Sequence, residues 1–161
     1  MISENKLKHS LGVARKCKEI ASIFVPNYET NNYFMMGYLH DIGYESNESD
    51  EHSAKGYLLC LNFGIKDNNY IQAIKLHGSF IPVERMTLEY AILVYSDLTT
   101  SYTGEAIPIE DRITSIKERY GENSRQFLTV VCQKYELIKY FEKLISNNPI
   151  LKEKIKEKII F

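Results

Sequence analysis

Apolar side chains recur along this chain at the three-and-four spacing of a helix face, in one segment after another. Leu7, Leu11, Ala14, Cys17, Ile20, Ala21 and Phe24 trace the first such face, which Ser3 can cap and which ends near Pro26. Thr30 or Asn31 opens a second helix through Phe34, Tyr38 and Leu39 to Ile42, with Gly43 in the position that follows a C-cap. A third runs from about Glu51 to Asn62 before Gly64, and a fourth from an Asp67 cap to Gly78. Thr87 opens a fifth, "TLEYAILVYSDLTT", whose β-branched residues also suit a strand but whose length and cap favour a helix. "SYTGEAIP" is a loop, and Pro108 then leads into "IEDRITSIKERYG". Phe127, Val130, Val131, Ile138, Phe141, Leu144 and Ile145 define a long amphipathic helix from Ser124 to about Ser146. "LKEKIKEKIIF" forms a short charged terminal helix, where fraying is expected. No repeat, low-complexity tract or interdomain linker interrupts the series. The expected fold is all-α, a compact bundle of about seven or eight helices.

Such a bundle needs a core, and 161 residues with 44% apolar and 25% charged side chains supply one of ordinary size. A net charge of −1 creates no global basic field, so nucleic acid is not an expected partner. "MISENKLKHSLG" is too polar for a signal peptide, and no apolar run approaches membrane-spanning length, so no membrane partner is expected. Cys17, Cys60 and Cys132 match neither a metal spacing nor a disulfide framework. They point to free buried thiols in a reducing cytoplasm.

Against this background the stretch "MMGYLHDIGYESNESDEH" is anomalous, because it ends an apolar helix on a histidine and an aspartate. His40 and Asp41 fall in the last turn, where the negative end of the macrodipole favours a cation. Adjacent helical residues diverge by about 100°, so one ion can sit between the two side chains while further ligands come from elsewhere. The chain has only four histidines, His9, His40, His52 and His77, each on a different helix near an end or a cap. Asp97 follows the apolar run "YAILVYS", where a buried charge is costly unless paired or ligating a metal. Each has a plainer structural explanation. A helix-terminal histidine serves as a dipole partner, Asp97 as an Asx-turn cap, Asp41 as a surface acid, and Gly43 and Gly56 as a cap and a small contact residue. The order His…His-Asp…His…His…Asp, which uses every histidine, favours the metal.

That ordered set resembles the HD-domain superfamily of metal-dependent phosphohydrolases: His9 in "LKHSLGVA", His40 and Asp41 in "YLHDIGY", and Asp97 in "YSDLTT". His52 in "EHSAKGYLL" and His77 in "IKLHGSF" stand where relatives with a second metal add two histidines. "SDLTTSYTGEAIPIEDRITSIKERYGENS" is similar to the text that follows the last aspartate in a small single-domain branch, and the likeness covers about residues 6 to 125. It implies a single HD-type domain over 1–161, with a core of about 6–146 and a C-terminal helix over 149–161. His9, His40, Asp41 and Asp97 would be metal ligands, Asp41 the catalytic carboxylate, and His52 and His77 would hold a second metal or the substrate phosphate. One departure stands out: Leu76 precedes His77 where dinuclear relatives often carry a second histidine.

The implied activity is hydrolysis of a phosphoester, with a nucleotide the expected substrate, by hydroxide generated on a divalent transition metal. Mixed nitrogen and oxygen ligands suit Fe, Mn, Co, Ni or Zn; one tight ion is expected, with a second one possible. Arg112, Lys55 and Lys75 are the candidate phosphate cations, each with the alternative of a solvated surface charge. Arg112 ranks first because guanidinium forks phosphate, although it can also brace Asp97 or pair with Glu110 or Asp111. The alternative function is a non-catalytic or regulatory nucleotide-binding domain, and a weaker one is a di-iron oxygenase.

Overall fold

The computed structural model of the protein describes residues 3–45 and 52–161, and within them eight α-helices follow one another. They are α1 (Glu4–Ala21), α2 (Thr30–Leu39), α3 (His52–Asn62), α4 (Asn69–Leu76), α5 (Leu88–Leu98), α6 (Ile109–Tyr120), α7 (Arg125–Asn147) and α8 (Lys152–Lys158). Among the described residues the sole β pairing is an isolated antiparallel bridge, Thr100 with Ala106. The expected all-α bundle is the observed one.

The strand-like composition of α5 has a helical explanation. Tyr90 through Ser96, and Leu98, are all buried, so α5 is the central rod and apolar residues suit every side of it. Thr87 caps it, its hydroxyl accepting from the Tyr90 amide. Val13, Cys17 and Ile20 of α1, Ile74 of α4 and Leu137 and Phe141 of α7 complete one core cluster with it. Asp97 thus sits one residue from the end of a helix with no water around most of its length.

Several boundaries differ from expectation. The fourth helix is capped by Asn68, whose side chain accepts from the Ile71 amide, while Asp67 takes hydrogen bonds from Gln72 and Tyr57. The terminal segment is docked instead of frayed. Ile155 and Ile159 are buried, the Ile160 amide donates to the Tyr95 hydroxyl at 2.8 Å, and Lys158 pairs with Glu19. The second helix stops at Leu39, three residues early, because the His40 ring occupies the Gly37 carbonyl that a further turn would use. Gly64 and Gly121 have the positive φ of helix-ending glycines, and Gly43 does not.

Gly43 is needed for proximity. A Cβ there would stand 1.9 Å from the His52 carbonyl oxygen and 2.6 Å from the Gly56 amide nitrogen, so the turn after α2 lies directly on the backbone of α3. Gly43→Ala must therefore push two backbones apart. We expect the melting temperature to fall by about 5 °C or more, from about 2–3 kcal/mol of overpacking. A variant that melts with the wild type would contradict this contact.

Candidate metal centre

Both α2 and α4 end on a histidine. His40 and His77 are the C-cap residues, and the Nδ1 of each lies 2.7 Å from the carbonyl three residues back, Gly37 and Ile74 respectively. Helix C-termini leave such carbonyls without an amide partner. A carbonyl only accepts, so Nδ1 must carry the proton, and in the neutral ring Nε2 is left as a bare lone pair. His9, in the second turn of α1, reaches the same state through the Ser101 carbonyl at 2.9 Å. The Thr100–Ala106 bridge and the Ser101 amide bond to Glu105 hold that carbonyl in place. Three imidazoles thus present Nε2 to one region.

Two carboxylates meet them there. Asp41 Oδ1 lies 3.4 Å from Nε2 of His40, 3.6 Å from that of His77 and 3.7 Å from that of His52. Asp97 Oδ1 is 3.1 Å from His9 Nε2 and 4.0 Å from His40 Nε2. Two overlapping groups result, His9–His40–Asp41 and Asp41–His52–His77, in each of which the donor atoms lie within 4.8 Å of one another and could hold a metal ion. Asp41 belongs to both.

The donor set fits a cation. His40 Nε2 is buried with no hydrogen-bond partner, which is expensive for a polar atom unless a ligand satisfies it, and Asp97 Oδ1 is held by ion pairs with His9 and Arg112 without an aligned hydrogen bond. The Nδ1–H to carbonyl bonds are the outer support that metal-binding histidines require. Burial keeps His40 from protonating, which leaves it the neutral form a metal needs. Burial also opposes charge on His9 and His77, but the Asp97 and Asp41 carboxylates beside them raise both pKa values. Burial opposes ionised Asp41 and Asp97 too. It is overcome by His77 beside Asp41, and by His9 and Arg112 around Asp97, so both stay below the usual carboxylate range.

A cavity of about 250 Å³ opens onto this cluster. Asp41, His52, His77 and Asp97 line it together with residues of α6 and α7; His9 and His40 do not line it and are almost fully buried. Arg112 is on the α6 wall, its Nη2 3.5 Å from Asp97 Oδ1 and its buried Nε without a partner. It therefore braces Asp97 and faces the cavity at once.

The two lysines are elsewhere. Lys75 is exposed with its ammonium 4.7 Å over the Tyr57 ring, which corrects the expectation that it meets phosphate. Two residues before His77 on the same helix, it points about 200° away from it. Lys55 is not among the residues lining the cavity either. Conversely, Tyr44, Arg119, Arg125 and Gln133 line it without having been expected. Arg119 was within reach of sequence reasoning, since Arg112, Ser115, Ile116 and Arg119 share one helical face. So was Gln133, a polar residue between Val130 and Leu137 on the apolar stripe. Its amide donates to the His77 carbonyl at 2.8 Å and the Ser79 carbonyl at 3.0 Å, tying α7 to the end of α4. Tyr44, which stacks on His52 at 3.9 Å, and Arg125 gave no such signal.

The protein-family model described as HD domain matches residues 7–121, well over half of the chain, and ends just before α7. No curated protein and no solved structure matches it.

Proposed function

The chain belongs to the HD-domain family, and on that premise we propose that it is a metal-dependent phosphohydrolase that cleaves a phosphoester of a small molecule, with a nucleotide the expected substrate. One observation carries this: the histidine–aspartate cluster opens into a cavity that Arg112 also lines, its guanidinium beside Asp97. Donors for a metal and a cation for phosphate thus share one small space. At about 250 Å³ it falls just below the roughly 300–1,000 Å³ of small-molecule sites.

In this reading His9, His40, Asp41 and Asp97 hold a divalent transition metal, of the kind that mixed nitrogen and oxygen donors suit. Such an ion, when bound, polarises a phosphoryl oxygen and makes hydroxide accessible near neutral pH. Asp41, shared by the two donor groups, orients the attacking water. His52 and His77 line the cavity beside it and act on the substrate phosphate or the leaving group. Arg112 forks the phosphate and neutralises charge on Asp97. In the same reading the chain works in a reducing cytoplasm, where its three thiols stay free; Cys17 and Cys60 are buried, but Cys132 is exposed, which corrects the expectation that all three are buried. No helix among the described residues is long and apolar enough to cross a membrane.

The test is release of phosphate or nucleoside from a nucleotide panel with and without added metal, run beside oxygen consumption and equilibrium binding. Metal-dependent release supports hydrolysis; oxygen uptake or binding without turnover would replace it. Within the same assay, Arg112→Ala is expected to lower kcat/KM about 10- to 100-fold, the worth of a charge-assisted contact, with metal content largely intact. Loss of metal equal to the loss of activity would reduce Arg112 to a brace for Asp97.

A further inference from the structure

The cavity is chemically lopsided. Its only carboxylates among the described lining residues are Asp41 and Asp97, both in the histidine cluster. Beyond them the α6–α7 wall carries Arg119 and Arg125, two exposed arginines with no ion pair among the described residues. Neighbouring cations on the same two helices are neutralised. Lys117 pairs with Glu122 at 3.1 Å, and Lys134 pairs with Glu110. A lone exposed arginine is usually a solvated charge. Two lining one cavity, with Glu110 and Glu122 engaged elsewhere, make a local positive field in a chain whose net charge is −1.

Their position sets a length. Arg112 meets Asp97 at the metal-binding end, and Arg119 lies seven residues further along the same face of α6, about 10 Å along the axis. Arg125, the first residue of α7, joins it across the short connection after Gly121. Arg125, Gln126 and Thr129 also lie beyond residue 121, where the family match ends, so this part of the cavity belongs to features the family model does not describe.

We infer that Arg119 and Arg125 form a second anion subsite, and that the substrate is a small bisphosphorylated molecule whose two phosphates lie about 10 Å apart. One phosphate sits at the histidine–aspartate cluster with Arg112, as the hydrolase reading requires, and the other on the rim. A monophosphate with a neutral remainder leaves the rim arginines without a partner.

The inference is tested by binding, which needs no turnover. Hexyl phosphate and 1,6-hexanediol bisphosphate differ only in the distal phosphate, and calorimetry on the purified protein gives the affinity ratio. We expect the bisphosphate to bind at least tenfold more tightly, and the advantage to shrink with shorter diols. In R119Q/R125Q the ratio should collapse towards one. Both residues are exposed, so the double variant should fold, which circular dichroism verifies. A wild-type ratio near one, or a ratio that survives in the double variant, overturns the subsite. The hydrolase reading is judged separately: a protein that shows the expected ratio yet cleaves no phosphoester keeps the subsite and loses the reaction, and an active one with a ratio near one does the reverse.

Discussion

The purified protein is expected to carry a transition metal, and Asp41→Ala to strip it and to lower phosphoester hydrolysis about a thousandfold or more. The magnitude follows from losing several kcal/mol of transition-state stabilisation, each 1.36 kcal/mol being tenfold in rate. Asp41 is the donor whose loss does most damage because it belongs to both candidate groups, its Oδ1 lying 3.4–3.7 Å from the Nε2 atoms of His40, His77 and His52. Without it each clustered group is left with two imidazoles, and the anion that both share to offset a divalent charge is gone. Asp41→Asn keeps the shape and removes the charge, and should fail similarly, which separates electrostatics from packing. Metal analysis with parallel kinetics decides the matter. Full metal content and normal turnover in Asp41→Ala would show the site to be wrongly assigned.

Loss of His77 is expected to lower turnover about 100-fold while leaving about one metal per chain, and His52→Ala should behave alike. The reasoning is a count of donors. Each group has three clustered donors, but Asp97, 3.1 Å from His9 Nε2 and 4.0 Å from His40 Nε2, would add a fourth to the His9–His40–Asp41 group, whereas the second group has only His52 and His77 beyond the shared Asp41. Leu76 offers nothing more where relatives often have a histidine. A second ion, if Asp41 bridges at the roughly 3.5–4 Å of two-metal sites, should therefore bind more weakly and be lost on dialysis. The close approach of His52 and His77, Nε2 to Nε2 at 3.1 Å, is compatible with either occupancy. Two equivalents in extensively dialysed wild type, falling to one in each variant, would establish a dinuclear centre and end the preference for a single tight ion.

Much of this was legible residue by residue. Apolar spacing and the caps at Ser3 and Thr87 are local signals, satisfied within one or two helical turns, and the structure forms helices at both. The donor types were equally plain, because few side chains offer nitrogen or oxygen to a metal and this chain has four histidines. Even the tautomers of His40 and His77 follow from a bond only three residues back. His9 is different: its orienting carbonyl, Ser101, is 92 residues away and had no local trace.

The sequence by itself thus determined an all-α fold and the chemistry of the donors, since periodicity, capping and ligand type are properties of short stretches. Tertiary structure decided which side chains share the cavity. It turned Lys75 out over Tyr57, brought Arg112 to Asp97, and set Arg119 and Arg125 in the cavity lining. It also gave Gly43 its purpose, a backbone contact with α3 instead of a helix end. These outcomes depend on how helices far apart in the chain pack around α5, and side-chain direction at such contacts is set by partners that no local window contains.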